Sequence, residues 1–216
     1  MSASVQSIIT TGTSGTIVDV ECSLSNNLPN IIIVGFANKA VGEAKERIRG
    51  AFATSHIVLP RKRTTVNLAP ADLPKGDSGF DLAIAVAILL ASAQIPDDIT
   101  DRQAFVGELG LEGEVRPVRG IIGKILVGRE HGIDTFFIPV GNLAQAQLVP
   151  KVTLIPIKTL RELYQHLIGA MPLKVFATGM GAYDSSLFTE PETGIQLSEV
   201  VGQIQAKRAL EIAAAG

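Results

Sequence analysis

At 216 residues the chain has room for one generous domain or a domain with an appendage, and its 46% hydrophobic content and positive mean hydropathy exclude general disorder. Nineteen Lys and Arg against 21 Asp and Glu leave a net charge of −2, so composition marks no nucleic-acid partner and any basic surface has to be local. Cys22 is the single cysteine, which excludes an internal disulfide and fits a reducing cytosol.

In chain order, residues 5–10 and 16–21 flank Gly12-Thr13-Ser14-Gly15 and predict a β-hairpin. Residues 31–34 form a short, continuously apolar run, expected to lie centrally in a sheet. Asn38 is placed to cap a helix over 39–54, with Val41, Ala44, Ile48, Ala51 and Phe52 on one stripe. A strand follows over 65–68, and then Pro70 and Pro74 force an extended, turning segment.

Ser78 with Asp81 three positions later reads as a capping box for a helix over 81–93 that is apolar on every side, and therefore buried. Strands are expected over 105–109 and 114–116, then a helix over 118–129 with Val118, Ile121, Ile122, Ile125 and Leu126 on its stripe, ended by Gly132. A strand at 135–138, a short helix at 143–148 and a strand at 152–155 come next. Thr159 and Glu162 form a second capping box for a helix over 160–168. Strands mixed with helices and opened by a hairpin indicate an α/β or α+β layered domain. Residues 171–197 lose periodicity and read as a linker, and the final piece is helical again.

No signal sequence opens the chain, and the longest apolar run, 82–93, is too short to span a bilayer, so a soluble cytoplasmic protein without a membrane partner is expected. No G-x-x-x-x-G-K-[ST] run is present, so the backbone nest and lysine that hold nucleotide phosphates are missing. His56, His131 and His166 are scattered without metal-ligand spacing, so no metal or cofactor is assigned to this stretch. The one charge concentration is 41–63, where Lys45, Arg47, Arg49, Arg61, Lys62 and Arg63 face only Glu43 and Glu46, a local +4. Arg47, Arg49, Arg61, Lys62 and Arg63 are the candidate contacts, either with DNA phosphates, which such clusters bind regardless of base sequence, or with a partner subunit. No aromatic is interleaved among them, so stacking on single-stranded bases is not indicated.

The segments NLAPADLPKGDSGFDLAIAVAILLAS, beginning at Asn67, and GELGLEGEVRPVRGIIGKILVGREHGIDTFFIP, beginning at Gly107, resemble the N-terminal domain of the magnesium-chelatase-like AAA+ ATPases of the ComM/YifB competence family. That domain is similar in turn to the peptidase domain of Lon protease. The resemblance implies the Lon-peptidase-like, ribosomal-protein-domain-2-like fold, a two-layer sheet-and-helix domain with helices mainly on one face, over residues 1–170. A linker at 171–196 and the start of a truncated AAA+ module at 197–216, with a turn like Val201-Gly202-Gln203, complete the expected organisation. It further implies a parent that uses ATP and Mg2+, assembles as a homo-oligomeric ring with its own AAA+ domain, and acts on DNA in recombination or natural transformation.

A Lon-type peptidase needs a serine nucleophile and a lysine base. Matching the two motifs puts the nucleophile position on Gly79, one past Ser78, and the lysine position on Ile122. Lys124 lies about 200° further round the helix and is expected to face solvent. The reading is therefore a non-catalytic domain, supporting ring assembly or DNA engagement. An active serine–lysine peptidase and a stand-alone binding module are the alternatives.

Overall fold

The computed structural model describes residues 2–11, 14–35, 38–70, 78–179 and 201–215. The hairpin expected from the first alternating segments is present and longer than the alternation suggested. β1 (Ser2–Thr11) and β2 (Ser14–Ser25) pair antiparallel from Ser2–Ser23 to Thr11–Ser14. β3 (Asn30–Val34) leads through α1 (Asn38–Thr54) into β4 (Arg63–Ala69), which lies parallel to β3 and antiparallel to β2.

A 3-10 turn (Ser78–Phe80) then runs directly into α2 (Asp81–Ala91). β5 (Gln103–Phe105), a small separate hairpin of β6 (Glu108–Leu109) and β7 (Val115–Arg116), and α3 (Ile121–Glu130) follow. β8 (Thr135–Pro139), α4 (Leu143–Ala146), β9 (Thr153–Ile157), α5 (Leu160–Leu167) and β10 (Phe176–Ala177) complete the unit. The main sheet has the order β10-β9-β8-β5-β1-β2-β4-β3, with β1, β5, β8 and β9 parallel to their neighbours in turn. Residues 201–215 belong to a second unit and hold α6 (Ile204–Ala215), on which Ile204, Leu210 and Ile212 are exposed.

Period-2 alternation sorts the sheet's side chains onto two faces. Val5, Ile9, Val18, Val20, Cys22, Val66 and Leu68 share one cluster with α1, α2 and α5. Within it α2 has no exposed face at all: Leu82, Ile84, Val86, Ile88 and Leu89 are each fully buried. Burying each such side chain contributes about 1.5–3 kcal/mol, which makes α2 the main apolar stabiliser of the fold. Cys22 is part of this core, and burial pushes its thiol up to about 12.

The α/β class and the sheet-and-helix layering hold, and the main helical layer lies on one face. On the opposite face a second cluster of Ile8, Ala104, Phe136, Ile138 and Leu154 packs under Ile121 and Ile125 of α3 and Ala146 of α4. That half of the domain is consequently three layers deep, and Phe136, Phe137 and Ile138 are buried in succession. Close approach of α3 requires Gly128, where an added Cβ would lie 2.5 Å from Phe136 Cε1 and 2.7 Å from Ile8 Cδ1.

Several expectations are corrected. Among the described residues β3 is an edge strand, not a central one: it pairs there with β4 alone, and its apolar run alternates, Ile31 and Ile33 buried in the cluster that holds α1 with Ile32 half-exposed. α3 starts at Ile121 rather than 118, because Gly120 takes a left-handed conformation (φ +67°) and Val118 is held outside the helix. There Asn142 clamps it, its Oδ1 accepting from Val118 N at 2.8 Å and its Nδ2 donating to Val118 O at 3.0 Å. The supposed linker begins with ordered structure: β10 adds antiparallel to β9, and Thr178 exchanges backbone and hydroxyl hydrogen bonds with Val152.

The Asp81 carboxylate is engaged by Arg47 and Leu109 N, and the capping-box expectation for Ser78 falls on a side chain outside the described part of the chain. The side chains of Ser78 and Asn38, and residues 71–77 and 180–200, lie outside the described part of the chain. The second cap is formed on the threonine side, Thr159 Oγ1 accepting from Glu162 N at 3.2 Å, while Glu162 Oε2 reaches one residue past the cap and accepts from Lys158 N at 3.2 Å. Thr159→Ala should lower the unfolding free energy by about 1 kcal/mol, measurable as a shift of the urea midpoint with unchanged slope.

Candidate functional site

The five candidate cations differ in what holds them. Arg61, Lys62 and Arg63 are consecutive, exposed, and free of ion pairs among the described residues; they sit where the loop after α1 enters β4. Arg49 lies further back on α1 and is held by Glu46 at 2.7 Å across one helical turn. Arg47 has a different role. Its Nε donates to Asp81 Oδ2 at 2.6 Å and its Nη2 to Asp81 Oδ1 at 3.2 Å, and only 16% of its side chain is exposed.

The Arg47–Asp81 pair couples α1 to the first turn of α2. Asp81 is fully buried, and Oδ2 also accepts from Leu109 N at 3.2 Å, which ties in the small hairpin. Burial pushes the carboxyl up to about 6, against the opposing pull of the Arg47 hydrogen bonds and charge. The guanidinium is correspondingly held above its ordinary value, chiefly by its hydrogen bond to Asp81. Arg47 is a structural cation, and Arg61, Lys62 and Arg63 are the candidates without an ion pair among the described residues.

Lys124 is the largest departure from the sequence reading. It is 1% exposed, and its Nζ donates to Ile8 O at 3.0 Å. The buried stripe of α3 is Ile121, Lys124, Ile125 and Gly128, while Ile122 points outward with 37% exposure. Ile122 and Lys124 do lie on opposite sides of the helix, and the inward side carries Lys124 rather than Ile122.

The surroundings explain why a lysine can stand there. β1 meets β5 through one residue pair, Gln6 and Ala104. Beyond it Ser7 Oγ donates to Phe105 O at 2.8 Å and Lys124 reaches the Ile8 carbonyl, so side-chain donors stand where a neighbouring strand's amides would. The start of the 3-10 turn lies at the same end of the sheet, with Gly107 N donating to Gly79 O at 3.0 Å. No sequence pattern marks this gap, because it depends on where β5 departs from β1.

The three histidines fall on separate elements: after α1, at the end of α3 and on α5. His166 Nδ1 accepts from Leu173 N at 3.1 Å, and burial holds its pKa below the ordinary value. Among the described residues no cluster of three His, Cys, Asp or Glu is placed to hold a metal ion, and no described helix is long and apolar enough to cross a membrane.

A mixed α/β domain with a buried amphipathic gap at Lys124 and a separate basic loop defines a class that comparison with known proteins makes specific. Residues 20–142, more than half of the chain, match the family described as subunit ChlI of Mg-chelatase, and the chain belongs to that family. Within it, the chain is 39% identical over 214 residues to competence protein ComM of Haemophilus influenzae, covering 99% of this chain and 42% of that protein. It is 34% identical over 202 residues to the uncharacterized protein YifB of Escherichia coli, covering 92% of this chain and 38% of YifB. A shorter similarity, 35% over 100 residues, reaches the archaeal Lon protease of Methanothermobacter thermautotrophicus, covering 44% of this chain and 15% of that one. The chain thus spans about two fifths of the length of its ComM and YifB relatives.

Proposed function

We propose that this chain is the N-terminal, Lon-peptidase-like domain of a ComM/YifB-type AAA+ ATPase, and that it binds and positions rather than breaks bonds. The observation that carries this reading is the match of nearly the whole chain to two fifths of ComM, with no phosphate-binding loop in the matched part. ATP and Mg2+ belong to the remainder of such a parent, whose ring assembly and DNA processing this domain serves. Arg61, Lys62 and Arg63 supply the contact with DNA phosphates: three adjacent exposed cations bind phosphate through charge and leave base sequence unread.

The test is salt-dependent DNA binding by the domain. Charge reversal at Arg61 and Arg63 should weaken binding and reduce the slope of log affinity against log salt by about 2, since each phosphate contact contributes about 0.9. Reversal at Arg49, already engaged by Glu46, should do much less. An affinity indifferent to the Arg61 and Arg63 changes removes DNA contact at this loop from the account.

One observation favours a second reading. Lys124 lies inside the domain, at the end of the sheet where Gly107 N meets Gly79 O, rather than in solvent, so a serine–lysine peptidase regains some support. Hydrolysis of an unfolded casein-like substrate that is lost in both Ser78→Ala and Lys124→Met would establish it.

A further inference from the structure

The loop that presents Arg61 and Lys62 also walls a groove of about 510 Å3. Leu24, Val58, Pro60 and Ala91 give it an apolar lining, with Val58 71% exposed. The donors of its uncharged polar lining are engaged within the protein: Gln94 Nε2 donates to Val58 O at 2.9 Å and to Ser92 Oγ at 2.7 Å, and Ser92 Oγ donates to Ile88 O at 2.7 Å. What the groove offers a partner is therefore apolar contact beside two cations that have no ion pair among the described residues. An occupant has to bring an apolar side chain with an acid next to it.

The same molecule displays such a group at the tip of the β6–β7 hairpin. Leu111 is 58% exposed, and Glu112 beside it is exposed and has no ion pair among the described residues. The flanking acids differ, since Arg116 engages both Glu114, at 2.6 Å, and Glu108, at 3.8 Å. The tip is rigid: Gly110 N donates to Glu114 O at 2.9 Å, Gly113 N to Gly110 O at 3.0 Å, and Leu160 N to Gly113 O at 2.8 Å. Thr54 Oγ1 donates to Leu111 O at 3.1 Å, fixing the tip on α1. A knob held this firmly loses little conformational entropy on docking.

We infer that the groove of one copy receives the Leu111–Glu112 tip of a second copy. Leu111 fills the apolar lining and the Glu112 carboxylate pairs with Arg61 and Lys62. Nucleic acid is the poorer occupant of the groove itself, because its lining has no aromatic for a base to stack on and an apolar floor gains nothing from phosphate. Groove and tip are different patches, so the contact is heterologous and propagates from copy to copy. The inference rests on the reading that this domain takes part in self-assembly.

The test is sedimentation equilibrium of the 216-residue chain over a concentration series, with thermal melts confirming that each variant is folded. Leu111→Ser, Glu112→Arg, and the double change Arg61→Glu with Lys62→Glu should each weaken self-association by about tenfold or more. Combining Glu112→Arg with Arg61→Glu and Lys62→Glu should restore it. Mixing Leu111→Ser with the Arg61→Glu, Lys62→Glu chain should give a dimer that neither forms alone, because one intact groove and one intact tip remain. A chain that is monomeric at every concentration overturns the inference, as does association that ignores Leu111→Ser or a charge swap that restores nothing. DNA phosphates and the Glu112 carboxylate compete for Arg61 and Lys62, so Leu111→Ser should weaken self-association without weakening DNA binding, and failure of the DNA contact and failure of this contact are read separately.

Discussion

Arg47→Met should lower the unfolding free energy by about 3–5 kcal/mol at pH 7, the usual cost of leaving a buried ion without its partner. Asp81 is fully buried, and Arg47 supplies two of its hydrogen bonds. Without the guanidinium, Leu109 N is the remaining donor recorded for the carboxylate, and methionine of similar length leaves little cavity to confuse the result. The loss should also depend on pH, with a sign fixed by Asp81. Its folded pKa, about 6, lies above the ordinary 3.8, so its contribution to stability is complete below about 4 and is lost as pH rises through 6. Removing Arg47 raises that folded value further. The difference between wild type and Arg47→Met should therefore be largest at pH 7 and shrink toward pH 4, as read from urea transitions across the range. A difference that grew on acidification would contradict the assignment of Asp81 as the charge Arg47 supports.

Lys124→Ala should cost about 3 kcal/mol or more. The change leaves the Ile8 carbonyl without its side-chain donor, which costs about 1–3 kcal/mol, and empties the space of three methylenes and the ammonium group beneath α3. Lys124→Met refills most of that space without restoring the donor, so it should fall between wild type and alanine. If methionine were instead as stable as wild type, the hydrogen bond to Ile8 would be energetically neutral, and packing alone would explain the residue. These variants also bear on chemistry. In a binding domain they change stability only; in a peptidase they abolish turnover while a folded population persists.

The contrast between these two sites shows what a sequence of this kind discloses. α2 was legible because every position from Leu82 to Leu89 is apolar, so no choice of face was needed. α1 was legible for the opposite reason, a clear division between Ala44, Ile48, Ala51 and Phe52 and a charged face. α3 offered apolar residues on both sides. With Val118 counted into the helix, Ile122 completed a plausible stripe; once Gly120 delays the start, the inward line runs through Lys124.

Long-range partnerships left no local trace. Arg47 and Asp81 are 34 positions apart, and nothing in the spacing distinguishes Arg47 from Arg49, although one is committed to the interior and the other to a surface turn. β3 read as central because a run of isoleucines looks the same whether a strand is covered on two sides or one. β10 comprises two residues, too short for any alternation to register. Of the candidate site, the sequence shows Arg61–Arg63 as a charge concentration but not the apolar groove beside it, which is assembled from β2, the loop before β4 and the end of α2.

The burial of Cys22 has a practical side. A thiol that is 1% exposed and titrates at about 12 is almost entirely protonated at neutral pH and shielded from alkylating reagents. The wild-type chain should therefore give a silent background in maleimide chemistry while it remains folded. A cysteine introduced on the surface, at Glu112 for instance, becomes the single addressable position for a fluorophore or spin label, with no need to remove the natural one. Conversely, slow labelling of the unaltered chain measures how often the sheet opens beneath α2.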